Sequence, residues 1–98
     1  MLVVRNVFHC KPGKASDLAD RFRRTIPLMQ KHGAGTARVL VDVVASFWTV
    51  VFEMEVPDLA TYERALNERP ADEEMGKVMA GYMDLLEGGH REVFRIVE

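Results

Sequence analysis

The chain has 98 residues, of which 48% are hydrophobic and 29% charged, so we treat residues 1–98 as a single globular domain and exclude disordered, collagen-like and coiled-coil classes. Thirteen lysine plus arginine residues against fifteen aspartate plus glutamate residues give a net charge of −2, which argues against nucleic acid and anionic membranes as partners. One cysteine, no apolar run near the ~20 residues of a bilayer span and no signal-like apolar stretch predict a cytoplasmic protein.

The first half of the chain predicts a strand, a helix and a hairpin. Residues 2–10 are rich in Val and Phe and precede a Lys-Pro-Gly turn, which is typical of a strand. Apolar residues at helical spacing predict a helix over 14–32, with a kink at Pro27. Residues 36–44 and 47–56 are dense in Val and aromatic residues and only two residues apart, so they predict an antiparallel hairpin.

The second half predicts a helix broken in two and a last strand. Asp58 is expected to cap the first part and Pro70 to end it. The second part carries an apolar stripe and should end at two glycines; the stripe consists of Met75, Val78, Met79, Tyr82, Leu85 and Leu86, and the glycines are Gly88 and Gly89. Residues 90–97 then form a strand. The order is βαββαβ, which predicts an α+β, ferredoxin-like domain with a four-stranded antiparallel sheet.

Alternation along the strands predicts two unlike faces of the sheet. One face is nearly pure hydrocarbon and should carry the helices; it collects Val4, Phe8, Cys10, Val39, Val41, Val43, Trp48, Val50, Phe52, Met54, Phe94 and Ile96. The opposite face mixes apolar side chains with charged ones that should pair with one another, among them Arg5, Arg38, Arg95, Asp42 and Glu53. Such an apolar patch is unusual in a monomer, so we expect a homodimer that packs sheet on sheet through this open face.

The whole chain resembles the dimeric α+β barrel superfamily. The resemblance rests on the βαββαβ order, the long hydrophobic third strand and the Val-Phe-His-Cys-Lys-Pro-Gly-Lys segment that leads into an amphipathic helix. That superfamily includes antibiotic-biosynthesis-type monooxygenases, heme-degrading monooxygenases and NIPSNAP-like proteins. The resemblance implies helices on one face of the sheet, a barrel closed by two subunits, and a ligand cavity in each subunit between sheet and helices.

Asn6 is the one polar residue on the predicted helix-facing surface, and a buried amide needs hydrogen-bond partners. Two interpretations stay open. In the first, its amide bonds the backbone or a helix hydroxyl such as that of Tyr82, or a bulge moves it off this face. In the second, it orients a substrate or oxygen, as the resemblance to the monooxygenase branches implies.

Aromatic and thioether side chains are expected to converge on the same layer, which suits a planar apolar ligand and equally suits a closed core. These candidate ligand-binding residues are Phe8, Trp48, Phe52, Met75 and Met79, with the hydroxyls of Tyr62 and Tyr82 beside them. Gly76 and Gly81 weaken the covering helix, which favours a cavity.

The sequence contains no recognised metal-ligand spacing for His9, His32 and His90, and we expect no metal site and no cofactor. The last helix lacks the histidine that the heme-degrading branch uses, and Cys10 lies in an apolar, inert setting.

Two functional hypotheses follow. The first is a cofactor-independent monooxygenase-like enzyme acting on an aromatic or polyketide-like compound, with Asn6, Tyr62 and Tyr82 as the catalytic candidates that stabilise a substrate anion. No base for it is visible on the helix-facing layer. The second is a non-catalytic dimer that binds a small apolar or aromatic ligand or a protein partner.

Overall fold

The computed structural model describes residues 1–31, 33–67 and 72–98. The elements along the chain are β1 (Leu2–Cys10), α1 (Ala15–Lys31), β2 (Ala37–Val41), β3 (Thr49–Val56), α2 (Leu59–Asn67), α3 (Glu73–Val78), a 3-10 helix (Tyr82–Leu85) and β4 (Leu86–Arg95). The strands form one antiparallel sheet in the order β2-β3-β1-β4, which confirms the predicted α+β, ferredoxin-like class. The expected helix end at His32 and the expected breaker Pro70 lie outside the described residues. No described helix is long and apolar enough to span a bilayer.

Helix α1 packs its apolar stripe on the predicted hydrocarbon face of β1 and β3. The ring of Phe22 lies 5.0 Å from that of Phe8 and 5.1 Å from that of Phe52, between centroids, while Leu18 and Val50 are fully buried beside them. Burial of each such side chain contributes roughly 1.5–3 kcal/mol to stability. The helix-facing assignment is therefore confirmed for these strands, and α1 continues through Pro27 to its end.

The hairpin is shorter than predicted, since β2 ends at Val41 and β3 begins only at Thr49. The Asp42 carboxylate accepts a hydrogen bond from the Thr49 amide at 2.9 Å, and this side-chain bond closes a longer connection over residues 42–48. Trp48, predicted inside the strand, has a φ of 61°, a left-handed conformation that is incompatible with an extended strand.

The apolar stripe from Met75 to Leu86 is not one helix, contrary to the prediction. Helix α3 ends at Val78, and Gly81 then takes a left-handed φ of 74°, which ends helical propagation before the 3-10 helix. Strand β4 begins at Leu86, four residues earlier than predicted, so Gly88 and Gly89 belong to the strand instead of ending a helix.

A bulge near the start of β4 sets which of its side chains face the helices. Cys10 pairs with Leu86 and His9 with Gly88, so Glu87 is an extra residue that reverses the alternation. Beyond it, Asn6 lies opposite Arg91, and Val3 lies opposite Phe94. The predicted helix-facing position of Phe94 is therefore wrong; its ring lies on the open face. Ile96, predicted on the helix-facing side, lies beyond the end of β4.

A chain of ionic contacts crosses the open face of the sheet. Glu53 is only 6% exposed and accepts hydrogen bonds from Arg38 at 2.7 Å and from Arg5 at 3.1 Å. Arg5 also approaches Glu92 at 3.9 Å. The predicted pairing of Arg5 and Arg38 with Glu53 is confirmed. Asp42 does not take part, because its carboxylate accepts the hydrogen bond from the Thr49 amide. Arg95 does not take part either, because it pairs with Leu2 and therefore lies on the helix-facing side.

Gly89 provides a first test, because a Cβ added there would lie 2.5 Å from the carbonyl oxygen of Val7. Gly89→Ala must push β4 away from β1, so we expect the free energy of unfolding to fall by about 1–3 kcal/mol. A Cβ at Gly88 meets nothing within 4 Å, so Gly88→Ala is the matched control and should change stability by at most about 0.5 kcal/mol. Urea unfolding followed by circular dichroism measures both; equal losses would contradict the close approach.

The Glu53 pairing predicts an acid-sensitive contribution to stability. The hydrogen bond from Arg38, followed by that from Arg5, holds the pKa of Glu53 below its usual value, although burial opposes this. The stabilisation is therefore fully present above the ordinary carboxyl pKa of about 4.3 and is lost as the pH falls through the lower pKa of the folded state.

We expect Glu53→Gln to cost about 1–2 kcal/mol at neutral pH and to flatten the loss of stability below about pH 4. Urea unfolding over a pH series would show this difference. Glu63→Gln, on the exposed side of α2, is the control. A Glu53→Gln profile parallel to that of the wild type would refute the assignment.

Candidate functional site

An open groove of about 570 Å³ lies between β1, β4 and the 3-10 helix. Its lining is contributed by short stretches of these elements: Asn6, Val7, Phe8, Tyr82, Met83, Leu86, Glu87, Gly88, Gly89, His90 and Arg91. Phe8 and Gly89 are direct partners across the two strands, and both line the groove. The turn at Gly81 brings the 3-10 helix to the side of the groove, where a continuous helix would have followed a different path.

A side-chain pair between neighbouring strands forms the polar end of the groove. The Nε of Arg91 donates a hydrogen bond to the Oδ1 of Asn6 over 2.6 Å. This partner is neither the backbone nor the Tyr82 hydroxyl, the two bonding partners that the sequence suggested for Asn6. The guanidinium is exposed and pairs with no carboxylate among the residues that the structure describes.

Tyr62, from α2, stands beside this pair. The Cζ of Arg91 lies 5.4 Å from the centre of the Tyr62 ring, a cation–π distance. The tyrosine is 6% exposed, and its hydroxyl has no hydrogen-bond partner in the described part of the chain. A buried hydroxyl without a partner costs about 1–3 kcal/mol, and such groups are uncommon outside functional sites.

The structure brings some of the predicted site residues together and separates others. Asn6, Phe8 and Tyr82 line the groove, and Tyr62 reaches it through Arg91. Phe52 and Met79 belong to the core beneath α1. Neither Trp48, which is 43% exposed ahead of β3, nor Met75, half-buried on α3, lines this groove.

Two groove residues with chemically active side chains were missed by the sequence reasoning: Glu87 and Arg91. Arg91 lies on the helix-facing side because it pairs with Asn6, whereas its neighbour His90 pairs with Val7 and turns its ring to the open face, 5.9 Å from the ring of His9. The only signal for Glu87 and Arg91 in the sequence is the Gly-Gly pair within a segment of strand composition, since glycine in a strand often marks a bulge or a close backbone approach. Glu87 is the carboxyl group that lines the groove.

Within residues 1–31, 33–67 and 72–98, no group of three or more His, Cys, Asp or Glu side chains is placed to hold a metal ion. Cys10 is buried against the core, and burial raises the pKa of its thiol, which disfavours the reactive thiolate.

Comparisons with known proteins bear on the fold. No protein-family model matches the sequence, and no curated protein is significantly similar to it. Among solved structures, an uncharacterized NIPSNAP domain protein from Burkholderia xenovorans has a TM-score of 0.79 at 15% identity, covering 99% of this chain and 95% of its own. A NIPSNAP family protein from Agrobacterium tumefaciens has a TM-score of 0.80 at 12% identity, with coverages of 99% and 93%.

A structure described as an antibiotic biosynthesis monooxygenase has a TM-score of 0.70 at 20% identity and covers all of both chains. The chain therefore has the ferredoxin-like α+β fold of the NIPSNAP and antibiotic biosynthesis monooxygenase structures. These likenesses confirm the expected fold of the single chain.

Proposed function

We propose that this protein is a small monooxygenase-like enzyme whose groove binds a planar aromatic or polyketide-like compound and oxidises it without a cofactor. The observation that carries the proposal is the groove itself, in which the Asn6 amide and the Tyr82 side chain stand over an apolar floor at Phe8. A concave, mostly apolar site with a few polar groups is the usual form of a small-molecule site. The likeness in fold to an antibiotic biosynthesis monooxygenase supports the reaction class by analogy.

The chemistry needs a substrate with an acidic methylene or phenol group. Loss of a proton creates an electron-rich anion, which Asn6 and Tyr82 stabilise by hydrogen bonding, while Tyr62 supports the site through its contact with Arg91. The methylene carbon then takes up one oxygen atom of O₂, while the other leaves as water with the two methylene hydrogens. Because this four-electron oxidation matches the four-electron reduction of O₂, no external reductant is required. Glu87 lines the groove and is the candidate proton acceptor.

The test combines binding with oxygen consumption. Hydroxylated polycyclic aromatics are titrated into the protein by calorimetry, and binders are then followed with an oxygen electrode. We expect saturable binding with oxygen uptake, and loss of at least about 100-fold in turnover for Asn6→Ala, the range of a removed anion-stabilising donor. Asn67→Ala, an exposed asparagine at the end of α2, is the control and should leave turnover unchanged.

The outcomes separate the two functions. Binding without oxygen uptake would replace the enzyme with a non-catalytic ligand-binding dimer. No binding across the panel would remove the small-molecule function and favour a protein-interaction dimer.

We further propose that the protein is a homodimer formed through the open sheet face. Two apolar residues on that face remain exposed, Leu40 at 37% and Phe94 at 49%. The adjoining β2–β3 connection exposes Val43, Val44 and Phe47 at 94%, 95% and 85%. Val43, Val44 and Phe47 lie within five residues of one another and are almost fully exposed, and exposed apolar patches of this kind mark interaction surfaces. Cys10 is buried and forms no disulfide, as is usual for proteins of a reducing compartment. We therefore propose that the protein is cytoplasmic.

The dimer prediction has a matched pair of variants on one strand. Leu40 faces the open side opposite Val51, while its neighbour Val41, 54% exposed, faces the helix side opposite Val50. We expect light scattering to give twice the 11.1 kDa chain mass for the wild type and for Val41→Glu. Leu40→Glu buries a charge in the interface and should give the monomer mass. A wild-type monomer at micromolar concentration would refute the proposal.

A further inference from the structure

We propose that the groove selects a ligand that bears a carboxylate, and that Arg91 anchors it. The inference rests on the proposed ligand-binding groove and narrows its occupant to a planar aromatic carboxylic acid. Three observations support it: the exposed guanidinium of Arg91, the contacts of Asn6 and Tyr62 that position this guanidinium, and the apolar surface at Phe8 beside it.

Arg91 is a cation available to a ligand. Its side chain lines the groove, is exposed, and has no carboxylate partner among the described residues. On the opposite face of the same sheet, Arg5 and Arg38 are engaged by Glu53. A guanidinium keeps its charge at every physiological pH, so this end of the groove is permanently positive.

Two contacts hold the guanidinium in place while leaving its terminal edge open. Asn6 engages Nε at 2.6 Å, and the Tyr62 ring lies 5.4 Å from Cζ. The two terminal nitrogens have no hydrogen-bond partner in the described part of the chain. They form a planar fork whose spacing matches the two oxygens of a carboxylate. A side chain already positioned by its neighbours loses less conformational entropy when it binds, which favours a specific contact.

The register along β1 orients such a ligand. From the Asn6–Arg91 rung the next helix-facing rung is Phe8–Gly89, followed by Cys10–Leu86 beside the bulge. A carboxylate on Arg91 therefore lets an aromatic body lie along Phe8 and Gly89, against Tyr82. Glu87, the carboxylate that lines the groove, belongs to the bulge at the opposite end, away from the acid group.

The experiment compares two probes of nearly equal size, 2-naphthoate and neutral 2-naphthamide, by titration calorimetry at pH 7 and low salt. We expect the wild type to bind naphthoate at least about 10-fold more tightly than the amide, the effect of a hydrogen-bonded charge pair. Arg91→Gln should remove this preference and keep the amide affinity. Arg95→Gln is the matched control, because Arg95 is exposed on the same face of β4 one rung beyond Val93, and should retain the preference.

Asn6→Asp is a second, nearly isosteric variant that gives Arg91 a carboxylate of its own. It should abolish the preference for naphthoate while the circular dichroism spectrum is retained. Equal affinity for acid and amide in the wild type would overturn the carboxylate inference and leave the groove standing. A preference that survives Arg91→Gln would overturn the role of Arg91. Binding of neither probe would overturn the inference together with the proposed aromatic ligand.

Discussion

The pairing of β4 with β1 is the constraint on which the groove depends. Gly89 approaches the Val7 carbonyl so closely that no side chain fits between the strands. The extra residue at Glu87 reverses the alternation and brings Arg91, rather than an apolar neighbour, onto the rung of Asn6. A close backbone approach and a bulge thus create both the polar end and the apolar floor of the groove.

The two faces of the sheet use arginine differently. On the open face, Arg5 and Arg38 converge on the buried Glu53, and Arg5 also lies 5.4 Å from the ring centre of Phe94. Glu53 neutralises the charges of these arginines, and the ion pairs connect neighbouring strands of the sheet. On the helix-facing side, Arg91 is held by an amide and an aromatic ring, neither of which cancels its charge. Charge left unneutralised next to a concavity is available for ligand recognition, whereas neutralised charge contributes mainly to packing and specificity of pairing.

The shared fold indicates the architecture of this chain but does not determine its activity. The three structures named above share this fold at 12–20% identity, and their descriptions name NIPSNAP proteins and a monooxygenase. One fold supports many activities because the scaffold tolerates exchange of the side chains around its cavities. The function proposed for this chain therefore rests on Asn6, Tyr62, Tyr82 and Arg91 and on what they can hold.

The sequence by itself determined the βαββαβ order, β1, the apolar stripe of α1 and the helix-facing side of β1 and β3, because local periodicity and burial specify these directly. It also singled out Asn6 as a polar residue in need of a partner. Only the tertiary structure decided that this partner is Arg91, that the last apolar stripe breaks at Gly81, and that Phe94 faces the open side. Alternation within a strand states which residues share a face, but the register between two strands far apart in sequence comes from long-range pairing, and a single bulge reverses it.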